Sequence, residues 1–80
     1  MTKCKPTSSI VSLVVSDIEF ETGIPSNLIM DGKNLDRRAV AARRQAIKVL
    51  SSYAAFSLKG IGDCFGISKV QVFRHLQKAQ

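Results

Sequence analysis

The segment from Leu58 to Leu76 constrains this chain more than any other. Two helices that cross closely need a small residue in the middle of the first, and Gly62 stands there. The turn between them needs a residue that tolerates positive φ, and Gly66 follows four positions on. Ile61, Phe65, Ile67, Val72 and Leu76 supply apolar contacts that lock such a pair together. Ser57 can cap the first helix and Ser68 the second. Each feature is weak alone. Together, in one short window, they predict a helix-turn-helix, with a plain helical hairpin in a bundle as the alternative.

The rest of the chain is helical in pattern. Val11, Val14, Val15 and Ile18 recur at helical spacing and predict an amphipathic helix over 8–22, ended by Gly23. Ile10, Leu13 and Phe20 give it a second, flanking apolar side. Pro25 fits the first turn of a short helix over 25–30 that contains Leu28 and Ile29. Asp31-Gly32-Lys33-Asn34 is a turn cluster. Asp36-Arg37-Arg38 then opens a long helical pattern to about Tyr53, with Val40, Ile47, Leu50 and Ala54 as its apolar face. The expected fold is all-α: four to five short helices with a C-terminal helix-turn-helix. It forms one domain over 8–80 behind a flexible N-terminus at 1–7. A chain of 80 residues buries only about 60–65% of its unfolded surface, which leaves little room for a deep substrate pocket.

Charge narrows the partners. Twelve Lys and Arg against six Asp and Glu give a net charge of +6, which suits nucleic acid, an anionic membrane or an acidic protein. Arg37, Arg44 and Lys48 lie seven or four positions apart and stack on one face of a continuous helix. Arg38 and Arg43 stand beside them, only Asp36 is near enough to neutralise the run, and all five cations are expected at the backbone or minor groove of bound DNA. A solvated face has the same spacing, but ordinary surface helices mix signs. No apolar run approaches the roughly 20 residues that span a bilayer, and the N-terminal stretch lacks a signal peptide's cleavage pattern. Cys4 and Cys64 have no second pair to complete a zinc site, and His75, the single histidine, has no second ligand at a spacing that suits zinc. Both thiols are expected to be reduced, in a cytoplasmic protein. Asp17 and Glu21 share a helical face, but no nucleophile–base pair accompanies them, so the chain does not read as an enzyme. No cofactor and no small-molecule substrate are expected.

A recognition helix that enters the major groove presents its N-terminal residues to base edges. Here those are Ser68, Lys69 and Gln71, with Arg74 a turn later. Lys69 suits guanine, Gln71 suits adenine, and Arg74 suits either guanine or a phosphate. Phe73 is open between core, thymine methyl and partner contact.

Residues 11–79 resemble the C-terminal DNA-binding domain of the bacterial replication initiator DnaA. The resemblance is carried by Val40-Ala41, Arg44-Gln45, Ala46 and Leu50, and above all by Ser57-Leu58, Ile61-Gly62-Asp63 and Phe65-Gly66. It implies an all-helical fold with a helix-turn-helix of the Trp-repressor type. It also implies that Arg37, Arg38 and Arg44 belong to a basic loop and helix start near the minor groove. Ser68, Lys69 and Gln71 would belong to the recognition helix. The family's Gly-Arg-Asp-His-Thr-Thr-Val is replaced by Ile67-Ser68-Lys69-Val70-Gln71-Val72, one residue shorter. The family's minor-groove Arg falls on Ala42, with Arg43 beside it. A different target site is therefore implied. The last helix is closer in style to resolvase and transposase modules. No phosphate-binding Gly-Lys loop of an ATPase occurs, and a free-standing domain of this kind suits a phage or mobile-element protein.

Two functions follow as expectations. One is sequence-specific binding of double-stranded DNA in transcription or replication control. The alternative is a protein-interaction module that docks on a replication or transcription protein, or on a second copy of the chain. It would use its basic face or the flanking positions Ile10, Leu13 and Phe20.

Overall fold

The computed structural model describes residues 7–53 and 56–79, and it is all-helical. Five helices follow one another: α1 (Ser8–Thr22), α2 (Ser26–Met30), α3 (Arg37–Ser51), α4 (Leu58–Phe65) and α5 (Lys69–Ala79). The flexible segment expected at 1–7 lies outside the described residues except for Thr7. So do Cys4 and Ala54.

The helix ends are set by local chemistry. Thr7 is extended and its side chain accepts from the Ile10 N–H at 3.4 Å, starting α1. Gly23 stops α1 at φ 75° and donates its N–H to the Glu19 carbonyl at 2.8 Å. The Glu19 carboxylate accepts from the Ser26 N–H, so the end of α1 supplies an anion to the start of α2. Pro25 is the residue just outside α2 rather than inside its first turn. Three Asx contacts then carry the chain into α3. Asp31 Oδ1 accepts from Lys33 N–H at 3.0 Å, Asn34 Oδ1 from Asp36 N–H at 2.9 Å, and Asp36 Oδ1 from Arg38 N–H at 2.9 Å.

α3 is the central element, packed against each of the other four helices. Its buried stripe is Ala39, Ala42, Ala46, Ile47 and Leu50, and small alanines let neighbours approach its backbone. Val11, Val14, Val15 and Ile18 of α1 close the core from one side. Ile61 and Phe65 of α4, with Val72 of α5, close it from the other. Of the expected second apolar side of α1, Ile10 packs against the core, whereas Leu13 is 68% and Phe20 is 91% exposed. Val40, expected on the apolar face of α3, is only half-buried.

The helix-turn-helix is α4–turn–α5. Ser57 Oγ accepts from Gly60 N–H at 3.0 Å. Gly66 takes φ 68° and its N–H, like that of Ile67 at 2.9 Å, bonds back to the Gly62 carbonyl. Gly62 lies at the crossing: a Cβ there would stand 2.6 Å from the Ile67 carbonyl oxygen. Space is open around Gly66, so its need for glycine is conformational alone. Gly66→Val is therefore expected to destabilise by about 1–3 kcal/mol, read as a lower melting temperature. An unmoved melting temperature would remove Gly66 from the turn.

Candidate nucleic-acid interface

The charges segregate by helix. α1 carries Asp17, Glu19 and Glu21 and no Lys or Arg. α3 and α5 carry no Asp or Glu, but hold Arg37, Arg38, Arg43, Arg44, Lys48, Lys69, Arg74 and Lys78, with His75. α3 and α5, which pack against each other, thus carry eight of the sequence's twelve Lys and Arg.

At the start of α5, Ser68 and Gln71 form a reciprocal capping box. Ser68 Oγ accepts from Gln71 N–H at 3.2 Å, and Gln71 Oε1 accepts from Ser68 N–H at 3.0 Å. Gln71 thus has a structural task that its spacing from Ser68 could have revealed. Val72 is fully buried and Leu76 half-buried, which fixes the outward face. Lys69 and Arg74 are exposed on α5, as expected of base-reading candidates. Val70 at 57% and Phe73 at 51% exposure share that outer surface. Val70 was not singled out from sequence. With Phe73 it offers apolar contacts of the kind that meet thymine methyl groups.

On α3, Arg37 and Arg38 are exposed in the first turn. A cation there opposes the helix dipole and costs a few tenths of a kcal/mol to about 1 kcal/mol, which an anion at the same place reverses. Arg37, Arg44 and Lys48 share a face by spacing, but their surroundings differ. Arg44 is half-buried in a cleft against α5. Lys48 lines a groove against α1 beside Asp17 and Glu21. Arg38 lines a shallow depression with Thr22 and Ile24.

Arg43 is the correction. Sequence placed it with the arginines at the DNA backbone or minor groove. In the structure it is 1% exposed. Its Nε donates to the Ile29 carbonyl at 2.9 Å. Its Nη2 donates to the carbonyls of Leu28 and Asn34, both at 3.1 Å, and to that of Asp31. The last carbonyls of a helix lack intrahelical partners; those of Leu28 and Asp31 also accept from the Asp31 and Asn34 N–H groups, at 3.4 and 3.0 Å, and the guanidinium fork adds donors to all four. Burial lowers the Arg43 pKa, and Asp31 works against that shift. A side chain committed to four carbonyls is not available to a polyanion.

The cleft between α3, α5 and the turn after α2 gathers Arg44, Gln71, Arg74, His75 and Lys78 over Gly32. His75 is half-buried there. Burial, then Arg44, Arg43 and Lys78, lower its pKa from the usual 6.5, so the ring is neutral at pH 7.

No helix among the described residues is long and apolar enough to cross a membrane. No family model, curated protein or solved structure matches this chain.

Proposed function

We propose that this chain binds double-stranded DNA sequence-specifically, in the control of transcription or replication. α5 lies in the major groove and α3 holds the backbone. The observation that carries this reading is the segregation of charge: two packed helices that include the helix-turn-helix reader bear no carboxylate at all. In this reading Lys69 and Arg74 contact base edges, Val70 and Phe73 contact thymine methyls, and Arg37, Arg38 and Arg44 contact phosphates.

A competition titration of selected against random duplex tests it, with circular dichroism as the fold control. Each good base contact is worth about 1–3 kcal/mol of discrimination. Lys69→Ala combined with Arg74→Ala is expected to lose roughly 30- to 10⁴-fold in site preference while helicity is kept. Gln71→Glu preserves the capping box but turns a carboxylate toward DNA, so affinity should fall without loss of helix. Arg37→Ala should instead weaken all duplexes alike and flatten the salt slope by about one unit. An unchanged preference in the double variant, with the fold intact, would rule out α5 as the reader.

One observation favours the second reading, docking on a replication or transcription protein. Phe20 and Leu13 lie on α1, the acidic helix, and are the two apolar side chains of that helix left open. A protein docked there would leave the salt slope of DNA binding unchanged, whereas counterion release gives a log–log slope near −0.9 per phosphate.

A further inference from the structure

We propose that the cleft between α3, α5 and the turn after α2 seats one phosphate group, and that His75 takes up a proton when the phosphate enters. The phosphate is a backbone phosphate of bound DNA, so this inference deepens the DNA-binding reading and rests on it.

The cleft has a volume of about 320 Å³. Arg44, Gln71, Arg74, His75, Gln77 and Lys78 line it together with Arg43, whose donors are given to carbonyls, and among the described residues no carboxylate lines it. Four cations lining one small space without a counter-ion among the described residues repel one another; an oxyanion removes that cost. Arg44 adds a second, independent sign. Its Nε is buried and, among the described residues, has no acceptor. A buried donor without a partner is costly, and the fork of a guanidinium matches two oxygens of a phosphate. Gly32 lines the cleft without a side chain, and Leu35, Val40 and Ile67 add apolar surface.

His75 reports on the seat because every charged group that acts on it is positive. From α3 these are Arg43 and Arg44, and from α5 Lys78, with Arg74 adjoining on the cleft wall. From the turn after α2, the cleft receives Gly32 and Leu35, both uncharged, while Asp31 acts on Arg43. In the DNA-free protein the ring is neutral at pH 7, its pKa held below 6.5 by burial and those cations. A phosphate in the cleft is the first negative charge the ring meets, and it favours the protonated form. The bound-state pKa lies above the free-state pKa, so the gain in affinity is fully present below the free-state pKa. It is lost as pH rises through the bound-state pKa.

This is the sequence's single histidine, so its ring protons can be followed by NMR without assignment ambiguity. The ring would be titrated at constant ionic strength in the wild-type protein alone, with saturating duplex, and with inorganic phosphate. Duplex affinity would be measured in parallel by anisotropy from about pH 5.5 to 8, for wild type and His75→Gln. We expect the His75 pKa to rise by about one unit on duplex binding, since an opposite charge within reach commonly shifts a pKa by that much. Affinity should tighten up to about tenfold toward low pH in the wild type, and stay flat in His75→Gln. Duplex that binds while the His75 titration is unmoved would overturn the phosphate seat and leave DNA binding standing. A shift with inorganic phosphate in a protein that binds no duplex would support the seat with free phosphate as its occupant, and would sink the DNA reading. No shift with either overturns the seat.

Discussion

Arg43→Met is expected to cost several kcal/mol, at about 1–3 kcal/mol for each buried carbonyl left without a donor. Four backbone carbonyls, those of Leu28, Ile29, Asp31 and Asn34, accept from this one guanidinium. Methionine fills much the same volume and is compatible with helix, so packing and propensity change little. What is lost is the donor set, and each buried acceptor left unpaired costs about 1–3 kcal/mol, less where water enters. Small domains are stable by only about 5–15 kcal/mol in total. The variant should therefore unfold at a much lower urea concentration. Arg43→Lys should recover little of the loss, because a single ammonium cannot span a fork of carbonyls on two segments. If Arg43 instead held DNA, Arg43→Lys would keep both the fold and the salt slope. A urea midpoint unchanged in Arg43→Met would dismiss the clamp.

The helix boundaries were legible because the residues that set them act locally. Thr7, Ser57 and Ser68 bond to backbone N–H groups three positions on, and Gly23 and Gly66 adopt the positive φ that glycine takes cheaply. The crossing at Gly62 was legible for the same reason, since a small residue mid-helix has few other uses. The role of Arg43 was hidden by its neighbours. It stands beside Arg44 in a run of one sign, and the carbonyls it serves lie nine to fifteen positions earlier in the chain. One trace was present. The expected apolar face of α3 ran Val40, Ile47, Leu50, leaving the position between Val40 and Ile47 unfilled. Arg43 occupies it, four residues before Ile47 and seven before Leu50. A charged residue on the buried stripe of a helix signals a partner for its charge or its donors.

The same division runs through the candidate interface. Lys69 and Arg74 were placed by distance from a cap and a core residue, both local. Gln71 was assigned to a base although the Ser68-x-x-Gln71 spacing spells a capping box. The cleft at His75 could not be read along the chain, because α3, α5 and the turn after α2 meet only in the folded molecule. Sequence pattern ties a residue to its own helix, and a site built from three segments needs their packing.

Gly32→Ala makes the same point in the form of a measurement. Gly32 was read as one member of a turn cluster, where many residues serve. In the structure a Cβ on Gly32 would lie 2.3 Å from the Phe65 carbonyl oxygen and 2.6 Å from Cγ2 of Ile67. The first neighbour is backbone and has no rotamer to move to. The turn after α2 is thus pressed against the turn of the helix-turn-helix, and one methyl group forces them apart. Overpacking of this kind costs about 1–3 kcal/mol, or roughly 5–20 °C in melting temperature for a domain of this size. Gly62→Ala meets the Ile67 carbonyl at 2.6 Å and should cost a similar amount. The two differ in what else they change. Gly62→Ala tilts α5 against α4 and should reduce discrimination between selected and random duplex. Gly32→Ala displaces the wall of the His75 cleft and should leave base discrimination intact. Its trace should be a His75 ring that titrates closer to 6.5, because lifting that wall admits water and relieves the burial that holds the pKa down. Melting curves together with a histidine titration check both. Gly32→Ala with a wild-type melting temperature would show that the two turns are not in contact.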